Sequence, residues 1–236
     1  MAGLAIVIPR NGPGTGPVIP PPAHDVGVSG WDHRYIATDL ADGTVTTWAD
    51  RGAVGAPLTR DTGGTATKVT EGGFTFARVS MPESASVGGL TDGKAVGATA
   101  RTVSLVMRYS SGTSASTPTF ARAGGLTLSR ASNGSLRVAG TGTQNLDLAG
   151  PAVGLWRIVI FTLNTPVLRI GDTENTTAST WSPSGTSDFW VGVSGANAGG
   201  GTRAVDYAEI VQWPKVLTAS ERTAHVTAMR AKYSGI

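Results

Sequence analysis

Carboxylates, histidines and hydroxyls are the side chains of this sequence that could do chemistry, and their spacing limits which chemistry. Glycoside hydrolysis needs two carboxyl groups about 5–9 Å apart on one surface. Asp206 and Glu209 stand three residues apart in a stretch that reads as a strand. Side chains alternate along a strand, so the two point to opposite faces and share no site. Glu209 is therefore read as structural, bonded to a neighbouring turn or strand. His24, His33 and His225 are the three histidines, and no two have ligand spacing, which argues against a transition-metal site. No G-x-S-x-G elbow occurs, and so few histidines leave a Ser-His-Asp triad without support. The glycine-rich run 195–201 follows a strand and opens no helix, so it is not a phosphate cradle. The inventory predicts no catalytic residue, no enzyme and no cofactor.

The elements that position these groups are clearest at the C-terminus. From 205 to 213 the residues alternate, Tyr207, Glu209, Val211 and Trp213 against Asp206, Ala208, Ile210 and Gln212. Neither set is purely polar, which predicts a strand covered on both sides. Pro214 ends it, because proline cannot donate to a ladder. Thr218 and Glu221 have capping-box spacing, so a helix should start there. Val226, Met229 and Tyr233 form one narrow apolar stripe, predicted to dock on the sheets while Arg222, His225, Arg230 and Lys232 stay wet.

Upstream, strand signals recur at 45–48, 72–79, 102–108, 126–129, 136–139, 155–163, 167–170 and 189–193. Asn133-Gly134 and Asn164-Thr165-Pro166 supply turns. Gly 33 and Pro 13 fit many strands joined by many turns. The pattern predicts an all-β fold, a two-sheet antiparallel sandwich of ten to twelve strands with helix only at the end. Cysteine is absent, so disulfides and thiolate metal sites contribute nothing. Only 15% of residues are charged, the net charge is +3, and the basic residues are scattered singly, which argues against nucleic acid as a partner. No run approaches the roughly 20 apolar residues of a membrane span.

Residues 1–24 differ from the rest and are read as an extended N-terminal arm ahead of a single domain, 25–236. Leu4, Ala5, Ile6, Val7 and Ile8 form a short apolar tip, too short for a signal-peptide core, so Sec export is not expected. A Gly/Pro-rich spacer ending in Pro20, Pro21 and Pro22 follows and favours a stiff, polyproline-like path. Fully extended, such an arm reaches ~75 Å. A β-branched tip on a stiff spacer is suited to docking by adding a strand to a partner's sheet edge.

Two stretches carry a resemblance. Trp31-Asp32, residues 42–52 (DGTVTTWADRG), and at the other end 208–213 (AEIVQW), 217–221 (LTASE) and Lys232-Tyr233 resemble the opening and closing segments of concanavalin A-like, laminin-G-type jelly rolls, especially those of bacteriophage virion proteins. The likeness spans about residues 31–236, with specific wording only at its two ends. It implies a jelly-roll fold and a non-enzymatic structural role as a minor tail protein, capsid decoration or head-fibre protein; the alternative is a stand-alone carbohydrate-binding, lectin-like module, ahead of a glycoside hydrolase. The protein would then be made in the bacterial host cytoplasm and carried in the virion, its arm meeting other virion proteins. It also implies a homo-oligomer, although no coiled-coil heptads specify one. Relatives of this fold often bind calcium through loop oxygens, and the candidates here are Asp39, Asp42 and Asp50, with Asp61, Asp172 and Glu174 behind them. None lies in a dense oxygen-ligand loop. Lectins of this fold pair an exposed aromatic with Asp or Asn in loops to bind sugar. Trp48, Trp156, Trp190 and Trp213 lie in or beside apolar runs and are read as core. Trp181, with Asn175 and Asp172 nearby, is the candidate platform for host-surface carbohydrate, against a core or loop-anchoring role that the sequence favours. The E-x-D-x-x-E arrangement of sandwich glucanases is absent.

Overall fold

Short β-branched and aromatic runs separated by glycine turns cannot bury themselves singly, so they pair into sheets. The computed structural model describes residues 26–61, 64–81, 87–96, 99–109, 118–140, 143–178, 180–183, 187–194 and 203–236. The arm, with Leu4, Ala5, Ile6, Val7, Ile8, Pro20, Pro21 and Pro22, and the glycine-rich run 195–201 lie outside the described residues. In chain order the strands are β1 (His33–Ile36), β2 (Thr47–Trp48), β3 (Leu58–Arg60), β4 (Thr65–Glu71), β5 (Phe74–Met81), β6 (Val87–Val96), β7 (Arg101–Tyr109) and β8 (Thr119–Ala123). They continue as β9 (Leu126–Arg130), β10 (Leu136–Gly140), β11 (Leu146–Leu148), β12 (Arg157–Leu163), β13 (Leu168–Ile170), β14 (Thr173–Asn175), β15 (Ser187–Ser194) and β16 (Arg203–Trp213), and α1 (Ala219–Lys232) follows.

One sheet runs β14-β13-β12-β7-β16-β5-β4, with β1 also paired to β16; the other runs β11-β10-β9-β8-β15-β6-β3-β2. The pairings are antiparallel throughout. The fold class is the one expected from the sequence, a two-sheet antiparallel sandwich with a short C-terminal helix. Sixteen strands among the described residues exceed the ten to twelve expected. Pieces as short as β2, β3, β11 and β14 carry too few residues for a periodic signal. Two predicted starts move inward: Gly72 and Gly73, at φ 58 and 82, are the turn before β5, and Leu155 stays 45% exposed ahead of β12.

Three layers result. Val103, Leu105 and Met107 of β7 and Val159, Phe161 and Leu163 of β12 face the second sheet, meeting Leu90, Phe189 and Val191. The alternate residues Val106, Ile158 and Ile160 face the helix side, where Leu217, Val226 and Met229 cover them with Trp213. Burying Val226 and Met229 in this way is worth about 1.5–3 kcal/mol each. The expected capping box is present: Glu221 N–H donates to Thr218 Oγ1 at 3.3 Å and Thr218 N–H to Glu221 Oε2 at 2.8 Å.

Arg222 and His225, expected in solvent, are buried instead. The helix lies against polar acceptors as well as an apolar floor, and these side chains bond to them. Arg222 binds Glu174 with Nε at 2.8 Å and Nη2 at 2.5 Å, and its Nη1 donates to the Leu217 carbonyl. His225 Nδ1 meets the Val26 carbonyl at 2.7 Å and Nε2 meets Ser104 Oγ at 2.8 Å, with Trp213 edge-on at 4.9 Å. A carbonyl only accepts, so Nδ1 carries the hydrogen and Nε2 accepts from the serine; the neutral ring is fully bonded. No helix among the described residues is long and apolar enough to cross a membrane.

Candidate functional site

Strand β16 is the spine of the first sheet, and its irregularity rearranges the carboxylates. Its neighbour on one edge is β7; on the other, residues 203–207 pair with β5 and residues 209–212 pair with β1. Where the neighbour changes, the β7 register shifts between Tyr207 and Glu209, so Ala208 is an extra residue, a β-bulge. Tyr207 and Ile210 consequently face the sandwich interior, whereas Ala208, Val211 and Trp213 face the helix. The expected face assignment fails here. Asp206 and Glu209 lie on the same, helix-covered side, because the bulge turns a spacing of three into an even one.

Both carboxylates are nevertheless committed to cations. Arg78 Nε and Nη2 reach Asp206 at 2.9 and 3.0 Å, and Arg108 Nε at 2.7 Å. Arg108 also lies over Phe76 at 4.8 Å and Trp156 at 5.0 Å. Glu209 is fully buried. It receives Arg34 Nε, Lys232 Nζ and Tyr233 Oη, each at 2.7 Å. The structural reading of Glu209 holds: it clamps the first strand and the end of the helix to β16.

The sequence-predicted ligand residues separate. Trp181 is half-buried, packs against the inter-sheet core and makes an isolated bridge with Thr143. Its indole N–H is buried and meets no hydrogen-bond partner among the described residues. Asn175 Nδ2 donates to the Asp147 carbonyl at 2.7 Å and its Oδ1 accepts from Thr177 N–H at 2.9 Å. Trp181 and Asn175 are thus both tied to the β10–β11 edge, through Thr143 and Asp147. Asp172 is exposed and pairs with Arg230 Nη1 at 2.8 Å, on the helix side.

The oxygen-bearing calcium candidates meet donors rather than one another. Asp39 takes a two-pronged contact from Arg51 Nε and Nη2, and Asp42 meets Lys68 Nζ at 3.0 Å. Asp50 accepts from His33 Nδ1 at 2.8 Å and from the N–H groups of Arg34, Gly52 and Ala56 at 2.8, 2.7 and 3.0 Å. Burial alone would raise the Asp50 pKa, but the bonds from His33, Arg34 and Gly52 bring it below the ordinary carboxylate value. Among the described residues no three His, Cys, Asp or Glu side chains gather as a metal site. Asp50 is instead the staple of the opening motif, and Gly52 is required beside it: a Cβ there would sit 1.9 Å from the Asp32 carbonyl oxygen.

That staple holds Arg51 at a cleft of about 330 Å³, where the opening motif meets the closing one. Phe74, at the start of β5, stacks on Trp156 at 5.3 Å and on Tyr233 at 6.0 Å, which gives the cleft an apolar wall of parallel rings. Arg51 and Lys232 line it with positive charge, and Thr38 and Thr75 with hydroxyls. Lys232 Nζ lies 5.3 Å from the Tyr233 ring centroid while bonded to Glu209. Sequence reasoning missed this site, since its residues come from four separate stretches of the chain, 36–38, 51, 73–75 and 232–234. The available signal was that the two motif-bearing stretches, 42–52 and 232–233, stand at opposite ends of the domain and both contribute to it.

Comparison with known proteins places the fold. No family model matches the chain, and no curated protein matches it. Among solved structures, Trypanosoma rangeli sialidase in complex with the inhibitor DANA is similar with a TM-score of 0.61 at 15% identity, over 85% of this chain and 33% of the sialidase. The receptor binding domain of botulinum neurotoxin C/D mosaic serotype is similar with a TM-score of 0.59 at 12% identity, over 84% of this chain and 51% of that one. Botulinum neurotoxin type C, whose way into the cell depends on interaction with two ganglioside molecules, gives 0.55 at 11% identity, over 79% and 51%. The chain spans about a third of the sialidase and half of the toxin chains. The class of domain so defined is a jelly-roll-like β-sandwich, and at these identities the likeness is one of fold.

Proposed function

We propose that this chain is a non-enzymatic structural protein of a bacteriophage virion, a minor tail protein or a capsid decoration or fibre protein. It is anchored by residues 1–24 and displays a sandwich that binds host-surface glycans without a cofactor. The observation that carries the glycan reading is the cleft of Phe74, Tyr233, Arg51 and Lys232. An apolar aromatic wall beside hydroxyls and cations matches a sugar's mix of C–H surface and polar rim. The toxin that engages gangliosides shares the fold, which supports a glycan partner here. The virion setting rests on the opening and closing motifs and on the arm's composition. The non-enzymatic reading is supported by Asp206 and Glu209, each saturated by cations.

Three measurements test it. Full-length protein and a chain starting at Asp25 are co-sedimented with particles lacking the native protein; only the full-length form should bind, and equal binding would move the particle contact to the sandwich. Full-length protein is then passed over immobilised host-surface glycans, where specific retention is expected. Turnover of a polysaccharide by the purified protein would overturn the non-enzymatic reading.

A further inference from the structure

We infer that the cleft takes a single carboxylate-bearing sugar, a terminal acidic residue such as a sialic or uronic acid, with Arg51 as the residue that selects the charge. The inference rests on the glycan reading above and deepens it.

The volume, about 330 Å³, stands at the small end of ligand clefts and suits one ring rather than an extended chain. Its wall and its hydroxyls would accept any hexose. The cations add the discrimination. Arg51 spends Nε and Nη2 on Asp39, and a guanidinium has five N–H donors in a fixed fork, so its remaining edge stays available to a second carboxylate. The Arg51–Asp39 pair is partly solvent-exposed, with side-chain exposures of 39% and 21%. Solvent screens an exposed pair, so Asp39 cancels only part of the charge that the guanidinium presents to an incoming anion. Asp39 orients the fork and, being negative, also opposes the anion. Lys232, the second cation of the cleft, is held by Glu209 and lies against the Tyr233 ring. A sugar ring packed against the apolar wall of Phe74 and Tyr233 therefore brings its carboxylate to a guanidinium that Asp39 already orients. A neutral sugar leaves that edge of Arg51 without its charged partner.

Calorimetric titration of the full chain with N-acetylneuraminic acid, glucuronic acid, glucose and acetate tests this, with Arg51→Gln, Asp39→Asn and Trp181→Phe alongside. Both acidic sugars should bind about tenfold or more tightly than glucose, the worth of one charge-assisted hydrogen bond. Arg51→Gln should abolish that ratio, and Asp39→Asn should strengthen acidic sugars by up to about fivefold. Opposite signs at two partners of one ion pair are not produced by general destabilisation. Equal affinity for glucose and glucuronic acid overturns the acidic assignment, and acetate binding as tightly as the sugars reduces the cleft to an anion site. Acidic-sugar binding unchanged in Arg51→Gln and lost in Trp181→Phe overturns the cleft while the glycan reading survives. Absence of binding to every sugar here, together with absence of retention on immobilised glycans, overturns both.

Discussion

Protonation of His225 should uncouple the helix from the sheet, and the size of the effect follows from its surroundings. Burial holds the His225 pKa down from 6.5 to about 4, against smaller opposing effects of the Val26 carbonyl and the Glu209 carboxylate; Arg34 and Arg169 add to the lowering. A base whose folded pKa is depressed binds fewer protons folded than unfolded between those two values. Stability is therefore full above about pH 6.5 and is lost as pH falls toward about 4. Between about pH 7.5 and about pH 5 the linkage integral for this one group comes to about 2 kcal/mol. Asp50 also has a lowered pKa, but a lowered carboxylate loses its contribution only as pH falls further, below the ordinary carboxylate value, so it does not enter this window. Urea unfolding at the two pH values measures the loss, and a His225→Gln variant isolates it. The variant keeps one of the two hydrogen bonds, to Val26 or to Ser104, and should cost about 1–3 kcal/mol at neutral pH. It should lose about 2 kcal/mol less than the parent on acidification. An identical pH response in both proteins, or a His225 ring titrating near the ordinary histidine value by NMR, would refute the reasoning.

Further expectations follow from the same contacts. Thr218→Ala removes the side-chain half of the capping box and should lower stability by about 1 kcal/mol, read as a shift in urea midpoint without a change in slope. Glu209→Ala leaves Arg34 buried without the carboxylate that binds it. The expected cost is about 3–5 kcal/mol, and a loss under about 1 kcal/mol would show that water reaches the site. Gly27 has φ 73, and a Cβ there would lie 2.5 Å from the Ala224 carbonyl oxygen. Gly27→Ala should therefore destabilise by more than about 1 kcal/mol, backbone strain and the clash adding together; proteolysis at the start of the domain would report it first. Trp213→Phe loses the indole N–H, which reaches the Val28 carbonyl at a long 3.4 Å, and empties part of a fully buried site. It should cost about 1–3 kcal/mol, most of it from the cavity and not the hydrogen bond, measured by thermal melting.

What the sequence determined by itself is local in its physics. The strand signal at 102–108 located β7, whose Val103, Leu105 and Met107 face the second sheet. The Thr218/Glu221 spacing located the helix start, because a cap is satisfied within one turn. Four tryptophans in apolar runs are core residues, since neighbours in the chain already report a buried strand. Tertiary structure alone decided the rest. The bulge at Ala208 arises where β16 exchanges β5 for β1, a change of partner that no window along β16 contains, and it moves Glu209 onto the face of Asp206. His225 and Arg222 look like wet helix residues until Ser104, Val26 and Glu174 arrive from distant strands and loops to bond them. The cleft exists because the Asp50 staple fixes the turn that carries Arg51, Asp39 pairs with its guanidinium, and Glu209 pins Lys232 and Tyr233 from the far end of the chain. Residue type can be read from a chain, but the meeting of its two ends depends on sheet pairing, which sets those distances only after folding.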